Sequence, residues 1–297
     1  MQIILTSSEE CPQKGCRACY YKWRRRWRTR TYNPAILHEI AQRTGEYSFA
    51  VGFNDMDPLA EELCRTILES GRELIVTVSA DMITRVPPDI LENVDTLSIS
   101  CDASRPIVDA DLEYINDLLV RKVVNTVIPR RHKLLVADRM GLLSTARSEW
   151  RKCISTKVLS VLDAPDYVYA GMYKGPPDID WTMSADRIDM YRTGIGYLRG
   201  YIRMSEWSGI RSPFPVVQDE CLTKILNGRG GKCNGDWMEI NGYGEVRRCP
   251  YTSTPTTVTH NADEVLELAD SYASERPWSV EPLCLQTTPS GSSSEGK

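Results

Sequence analysis

Apolar, β-branched runs alternate with helix-like patterns through the first two thirds of the chain, and they predict strands at about 2–6, 47–52, 73–79, 95–100, 123–128 and 167–172. The runs are nearly continuous, as in Glu73-Leu74-Ile75-Val76-Thr77-Val78-Ser79, which is the pattern of strands covered on both faces. The clearest helix between them is Pro58 to Ser70. Asp57 is placed to cap it, Pro58 suits its first turn, Leu59, Leu63, Ile67 and Leu68 recur at helical spacing, and Gly71 stops it. Strands separated by helices require a parallel sheet, and the number of repeats fits a partial (β/α)6 TIM-like barrel of the α/β class. Residues 129–165 carry more strand-like runs than that barrel needs.

The texture changes at about residue 205. Glycine and proline become frequent, Gly228-Arg229-Gly230-Gly231 is a turn cluster, and Trp237–Ile240 and Glu245–Arg248 read as hairpin arms around Asn241-Gly242-Tyr243-Gly244. One further helix is expected over 262–272. The chain therefore divides into a barrel over 1–205, a small cysteine-rich hairpin and helix extension over 206–285, and a Ser/Gly/Thr-rich tail over 286–297 expected to be disordered.

Composition narrows the class. With 41% hydrophobic and 26% charged residues among 297, the chain reads as globular. A net charge of −4 gives no global pull toward nucleic acid or an anionic membrane. No run approaches the roughly 20 apolar residues of a membrane span, and MQIILTSSEE turns acidic too early for a secretory signal, so a soluble, cytoplasmic protein is expected. In that setting ten cysteines point to metal binding, catalysis or burial rather than to disulfides.

Six cysteines fall into two groups, Cys11/Cys16/Cys19 and Cys221/Cys233/Cys249, while Cys64, Cys101, Cys153 and Cys284 stand apart. Three thiolates in CPQKGCRAC, just past the first strand, can point at one centre. A closed zinc site needs a fourth ligand, for which His38 on a predicted helix is the next candidate. The C-x4-C-x2-C spacing also begins a plant-type [2Fe–2S] site, whose fourth ligand would be Cys64. Unrelated thiols are a third reading, set against the oxidation hazard of three exposed neighbours. The fourth is a [4Fe–4S] cluster held by three cysteines, with one iron left open.

On that last reading the chain resembles the radical S-adenosylmethionine enzymes, in which a three-cysteine loop, a glycine-rich acidic strand end, a polar turn and a serine/aspartate strand follow in order. Here they are Cys11/Cys16/Cys19, Ala50-Val51-Gly52-Phe53-Asn54-Asp55-Met56-Asp57-Pro58, Ile75-Val76-Thr77-Val78-Ser79-Ala80-Asp81 and Val94-Asp95-Thr96-Leu97-Ser98-Ile99-Ser100-Cys101-Asp102. The first two cysteines are separated by four residues where the family usually has three, and Gly52-Phe53-Asn54-Asp55 stands where the family has Gly-Gly-Glu. The resemblance implies a [4Fe–4S] cluster on Cys11, Cys16 and Cys19. It implies S-adenosylmethionine chelated by the open iron, Gly52, Asn54 and Asp55 near its amino group, and Ser79, Ser100 and Asp102 near its methionine end or ribose. Reductive cleavage would give a 5'-deoxyadenosyl radical that abstracts hydrogen from a substrate inside the barrel. An external flavodoxin- or ferredoxin-like electron donor follows from the same chemistry.

The second group, Cys233 to Cys249, encloses the predicted hairpin, which brings distant thiols to one end of a ribbon. It is similar to the opening of the SPASM and twitch extensions that bind an auxiliary [4Fe–4S] cluster, with Cys221 as a third ligand and Cys284 as a fourth. Only Cys284 follows Cys249, so the shorter twitch version fits better than a full SPASM domain. A structural zinc on the same four cysteines is the alternative. Because the family uses such extensions when modifying peptides or proteins, a peptide or protein substrate is expected. The competing class is a non-catalytic zinc module whose segment Lys22-Trp23-Arg24-Arg25-Arg26-Trp27-Arg28-Thr29-Arg30 binds nucleic acid by phosphate contact and stacking; the same run also reads as a solvated face.

Overall fold

A computed structural model of the chain describes residues 1–7, 31–43, 47–53, 57–100, 114–115, 117–128, 167–172, 216–218, 237–248 and 257–274. Strands β1 (Gln2–Thr6), β2 (Ser48–Phe53), β3 (Leu74–Ser79), β4 (Thr96–Ser100), β5 (Arg121–Ile128), β6 (Tyr167–Met172) and β7 (Val216–Gln218) pair in sequence order, each parallel to the next. The six strands read from the sequence are all present as β1–β6, and β7 extends them. The expected α/β class holds: the sheet is parallel-dominant and open, as a partial barrel is.

The C-terminal hairpin belongs to the same sheet. Strand β8 (Trp237–Asn241) runs parallel to β1, with Gln2 opposite Trp237 and Thr6 opposite Asn241, and β9 (Glu245–Arg247) returns antiparallel to β8. A short β10 (Thr257–Val258) closes the order β10-β9-β8-β1-β2-β3-β4-β5-β6-β7.

Helices cover one face. Helix α1 (Ala35–Gln42) connects β1 to β2, and α2 (Pro58–Glu69) connects β2 to β3. A six-residue 3-10 turn (Ala80–Arg85) and α3 (Pro88–Leu91) connect β3 to β4, and α4 (Ala262–Ser274) follows β10. The boundaries of α2 have local causes. Asp57 accepts a hydrogen bond from the Leu59 amide at 3.1 Å, and Pro58 takes the first turn. At its end Gly71 adopts φ +66°, and the bonds from Gly71 N to Leu68 O (3.0 Å) and from Arg72 N to Ile67 O (3.3 Å) form a Schellman closure. Helix α4 starts in the same manner: Asn261 Oδ1 accepts from Glu264 N at 2.9 Å, and Glu264 accepts from His260 N at 2.8 Å.

Alternate strand residues point to opposite faces. Ile3 and Leu5, Phe49 and Val51, Val76 and Val78, Leu97 and Ile99, and Met238 and Ile240 form one buried apolar cluster with Ile36, Leu37, Ile40, Leu63, Ile67, Val265 and Ala269 of the helices. Cys64 of α2 lies in this cluster at 0% exposure, and burial drives its thiol well above the ordinary cysteine range. The helix layer is cross-linked at its surface by Arg43–Asp263 (2.9 Å) between α1 and α4 and by Arg65–Asp89 (3.0 Å) between α2 and α3. Among the described residues no helix is long and apolar enough to cross a membrane.

Candidate active site

The opposite face of the sheet is mixed, apolar at Ile4, Ala50 and Ile75 and polar toward the C-terminal strand ends at Thr77, Ser79, Ser98 and Ser100. Because β1–β8 all run parallel, their C-terminal ends meet along one edge, where α/β folds place their ligands. Gly52 is the penultimate residue of β2, Ser79 the last of β3 and Ser100 the last of β4. Ser79 and Ser100 are register partners, which puts their Cα atoms about 5 Å apart, and Gly52 is opposite Thr77, two residues before Ser79. The fold thus gathers three of the predicted cofactor-binding residues on adjacent strand ends. Among the described residues, a side chain built on Gly52 would meet nothing within 4 Å. Deeper in the sheet, Asn125 Nδ2 of β5 donates to Ser98 Oγ of β4.

Cys11, Cys16, Cys19, Asn54, Asp55, Asp102, Cys221, Cys233, Cys249 and Cys284 lie outside the described residues, as do the basic segment 22–30, Cys101 and Cys153. The frame around them is described. The segment carrying Cys11, Cys16 and Cys19 leaves from Thr6 and Ser7 at the C-terminal edge, beside β2 and its Gly52. The hairpin between Cys233 and Cys249 turns at that same edge, and its open end is level with Gln2 at the opposite edge. The strand ends that lead to Cys233 and Cys249 are thus at the edge opposite the exit of the first segment, whereas β7, which leads to Cys221, ends at the same edge as that exit.

Two alternatives for the first cysteine group lose their fourth ligand. Cys64, required by a plant-type [2Fe–2S] site, is sealed in the apolar core behind the sheet. His38, the zinc candidate, lies on the helix side, where its Nε2 is 3.5 Å from Glu62 Oε2 of α2.

Several residues at this edge carry no motif. Thr6 Oγ1 donates to Glu239 Oε1 at 2.8 Å, linking β1 to β8. Glu245 accepts from Asn241 Nδ2 at 3.0 Å and from Arg247 Nη2 at 3.1 Å. Glu239, Glu245 and Arg247 are 0%, 1% and 0% exposed, and Nε and Nη1 of Arg247 make no hydrogen bond among the described residues. Ser7 Oγ donates to the Asp57 carboxylate, and the Tyr32 hydroxyl donates to the Ser7 carbonyl. In the sequence Glu239 and Asn241 alternate with Met238 and Ile240, the pattern of a strand with one wet face. That alternation was the only local signal, and it does not distinguish a solvated face from the inside of a barrel.

No family model matches the chain, and no curated protein matches it in sequence. Its structure does have likenesses: the fold is that of radical S-adenosylmethionine enzymes. Streptococcus suis SuiB bound to precursor peptide SuiA is similar over 90% of this chain and 64% of that one, with a TM-score of 0.58 and 16% identity. SuiB bound to S-adenosylmethionine is similar over 89% and 63%, with a TM-score of 0.56 and 15% identity. Native anSMEcpe with bound AdoMet and Cp18Cys peptide is similar over 89% and 77%, with a TM-score of 0.51 and 13% identity. The chain thus spans less than two thirds of the length of the SuiB structures, and at these identities the likeness is one of fold.

Proposed function

We propose that the chain is a radical S-adenosylmethionine enzyme acting on a peptide or protein. Cys11, Cys16 and Cys19 hold a [4Fe–4S] cluster with one open iron, and Gly52, Asn54, Asp55, Ser79, Ser100 and Asp102 bind S-adenosylmethionine beside it. Bound there, the pair supplies a 5'-deoxyadenosyl radical for hydrogen abstraction, using an electron from an external flavodoxin- or ferredoxin-like donor. Cys221, Cys233, Cys249 and Cys284 hold an auxiliary [4Fe–4S] cluster.

The observation that carries this reading is the alignment of Gly52, Ser79 and Ser100 on adjacent strand ends next to the exit of the three-cysteine segment from β1. Among the described residues nothing lies within 4 Å of a Cβ on Gly52, which gives a ligand room to approach the backbone. The serine hydroxyls and nearby amides bind and orient by hydrogen bonding. A peptide substrate is supported by the precursor peptide held by SuiB and the peptide held by anSMEcpe.

Anaerobic reconstitution tests the proposal. The protein should turn brown, take up about eight irons for two cubanes, and release 5'-deoxyadenosine from S-adenosylmethionine under a strong reductant. Cys16→Ala should abolish that release, whereas Cys249→Ala should retain part of it. A colourless protein holding stoichiometric zinc, or parental cleavage by the Cys16 variant, would overturn it.

A further inference from the structure

Ser7 precedes the first cysteine segment and Tyr32 follows it; Tyr32 packs on the distant hairpin turn, and Ser7 is tied to that turn through Tyr32. The Tyr32 hydroxyl donates to the Ser7 carbonyl, tying the two ends of the segment together. Its ring stands edge-on to Tyr243 with centroids 5.1 Å apart and planes at 68°. The next residue, Asn33, donates its amide to the Gly242 carbonyl at 2.7 Å. The ring lies so close over Gly242 that a Cβ there would sit 2.3 Å from Tyr32 Cε2. On the other side, Ser7 Oγ is held by Asp57, the residue that caps α2.

The turn that receives Tyr32 is itself braced. Asn241 Oδ1 accepts from the amides of Tyr243 (3.0 Å) and Glu245 (3.1 Å), Gly244 N donates to Asn241 O at 2.9 Å, and Gly244 adopts φ +72°. Beneath it, the Thr6–Glu239 bond ties β8 to β1 one residue before Ser7. A rigid element that pins both ends of a loop removes most of the loop's closure entropy and fixes where it projects.

We infer that the Asn241–Gly244 turn is a positioning device for the first cysteine segment: Gly242 and Tyr32 close its base, and thereby set the affinity of the centre it carries for S-adenosylmethionine. This rests on the function proposed above. It gives the hairpin a role at the first centre that is separate from any metal held by the cysteines flanking it. Gly242 and Tyr32 are positioning residues, and the side chain excluded at Gly242 is excluded by the Tyr32 ring.

The test is a double-mutant cycle on full-length reconstituted protein, with S-adenosylmethionine affinity read from the change it produces in the electron paramagnetic resonance of the reduced first cluster. Gly242→Ala should weaken affinity about tenfold, raising KM for S-adenosylmethionine with little change in kcat. Made in a Tyr32→Ala background, the same substitution should add nothing, because the clash is gone. Tyr32→Phe keeps the ring and loses the bond to Ser7; it should weaken affinity about fivefold without moving the thermal midpoint, and it serves if Gly242→Ala fails to fold.

Hydrogen exchange on the metal-free protein gives a second readout, in which the Asn33 amide should lose protection in Gly242→Ala. Parental affinity in both Gly242→Ala and Tyr32→Phe, or equal effects of Gly242→Ala with and without Tyr32, would overturn the inference. If the parent protein itself forms no cluster and binds no S-adenosylmethionine, the proposed function fails. The clamp then stands or falls on whether Asn33 loses its protection.

Discussion

The site face of this sheet has two regions built on opposite terms. Along β2–β4 its C-terminal end is lined by small neutral groups such as Gly52, Thr77, Ser79, Ser98 and Ser100, and among the described residues nothing crowds Gly52. Along β8–β9 it carries Glu239, Glu245 and Arg247, fully enclosed. Small hydroxyls and bare backbone leave room for a ligand and supply hydrogen bonds without committing charge. Buried ionic groups have no such latitude, because each is costly unless its geometry is kept. The first region is suited to receive a molecule, and the second to hold the hairpin in one register against β1.

The largest test of this contrast is Glu245→Ala, which strands the buried Arg247 guanidinium and should cost about 3–5 kcal/mol in denaturant unfolding. Replacing both partners, as in Glu245→Leu with Arg247→Met, should recover most of that loss, since an apolar pair of similar volume avoids the desolvation cost. If the single variant is as stable as the parent, the enclosed network fixes nothing. Next in size is Asp57→Ala, which removes the α2 cap and a partner of Ser7. It should cost about 1 kcal/mol, and Asp57→Asn should restore the cap.

On the open side the expectation reverses. Gly52→Ala meets no neighbour among the described residues, so its unfolding free energy should stay within about 0.5 kcal/mol of the parent while S-adenosylmethionine binding weakens. A loss of stability without a loss of binding would make Gly52 structural instead. The smallest effect lies on the helix surface, where the Arg65 guanidinium beside Asp89 holds that carboxyl below the usual aspartate range. A carboxyl depressed in the folded state stabilises above its unfolded value, near pH 4, and that contribution fades as pH falls through the folded value. Arg65→Ala should therefore lower the midpoint only slightly at neutral pH, both partners being exposed, and its difference from the parent should vanish as pH falls through the folded value.

Much of the frame was legible along the chain. Strands β1 and β6 begin and end where their apolar runs do, and α2 occupies the span given by Asp57, Pro58 and Gly71. The arms of the hairpin and its Asn-Gly-Tyr-Gly turn were equally plain. β5 starts earlier than its apolar run, because Arg121 and Lys122 pair with Thr96 and Leu97 of β4. Motif order singled out Gly52, Ser79 and Ser100, which the fold sets on adjacent strand ends, but gave no sign of the contacts of Thr6, Tyr32, Glu239 and Gly242. Their roles depend on partners up to 233 positions away, such as Glu239 for Thr6.

Sequence alone thus determined the strands of the frame and their order, since periodicity, caps and turn residues act over a few neighbouring positions. Tertiary structure decided that β8 lies parallel to β1, that the hairpin opens at the edge opposite the exit of the first cysteine segment, and that the charges of the hairpin are enclosed rather than wet. Strand pairing brings together residues with no local relation, and an alternating pattern is the same whether its polar side faces water or the inside of a barrel.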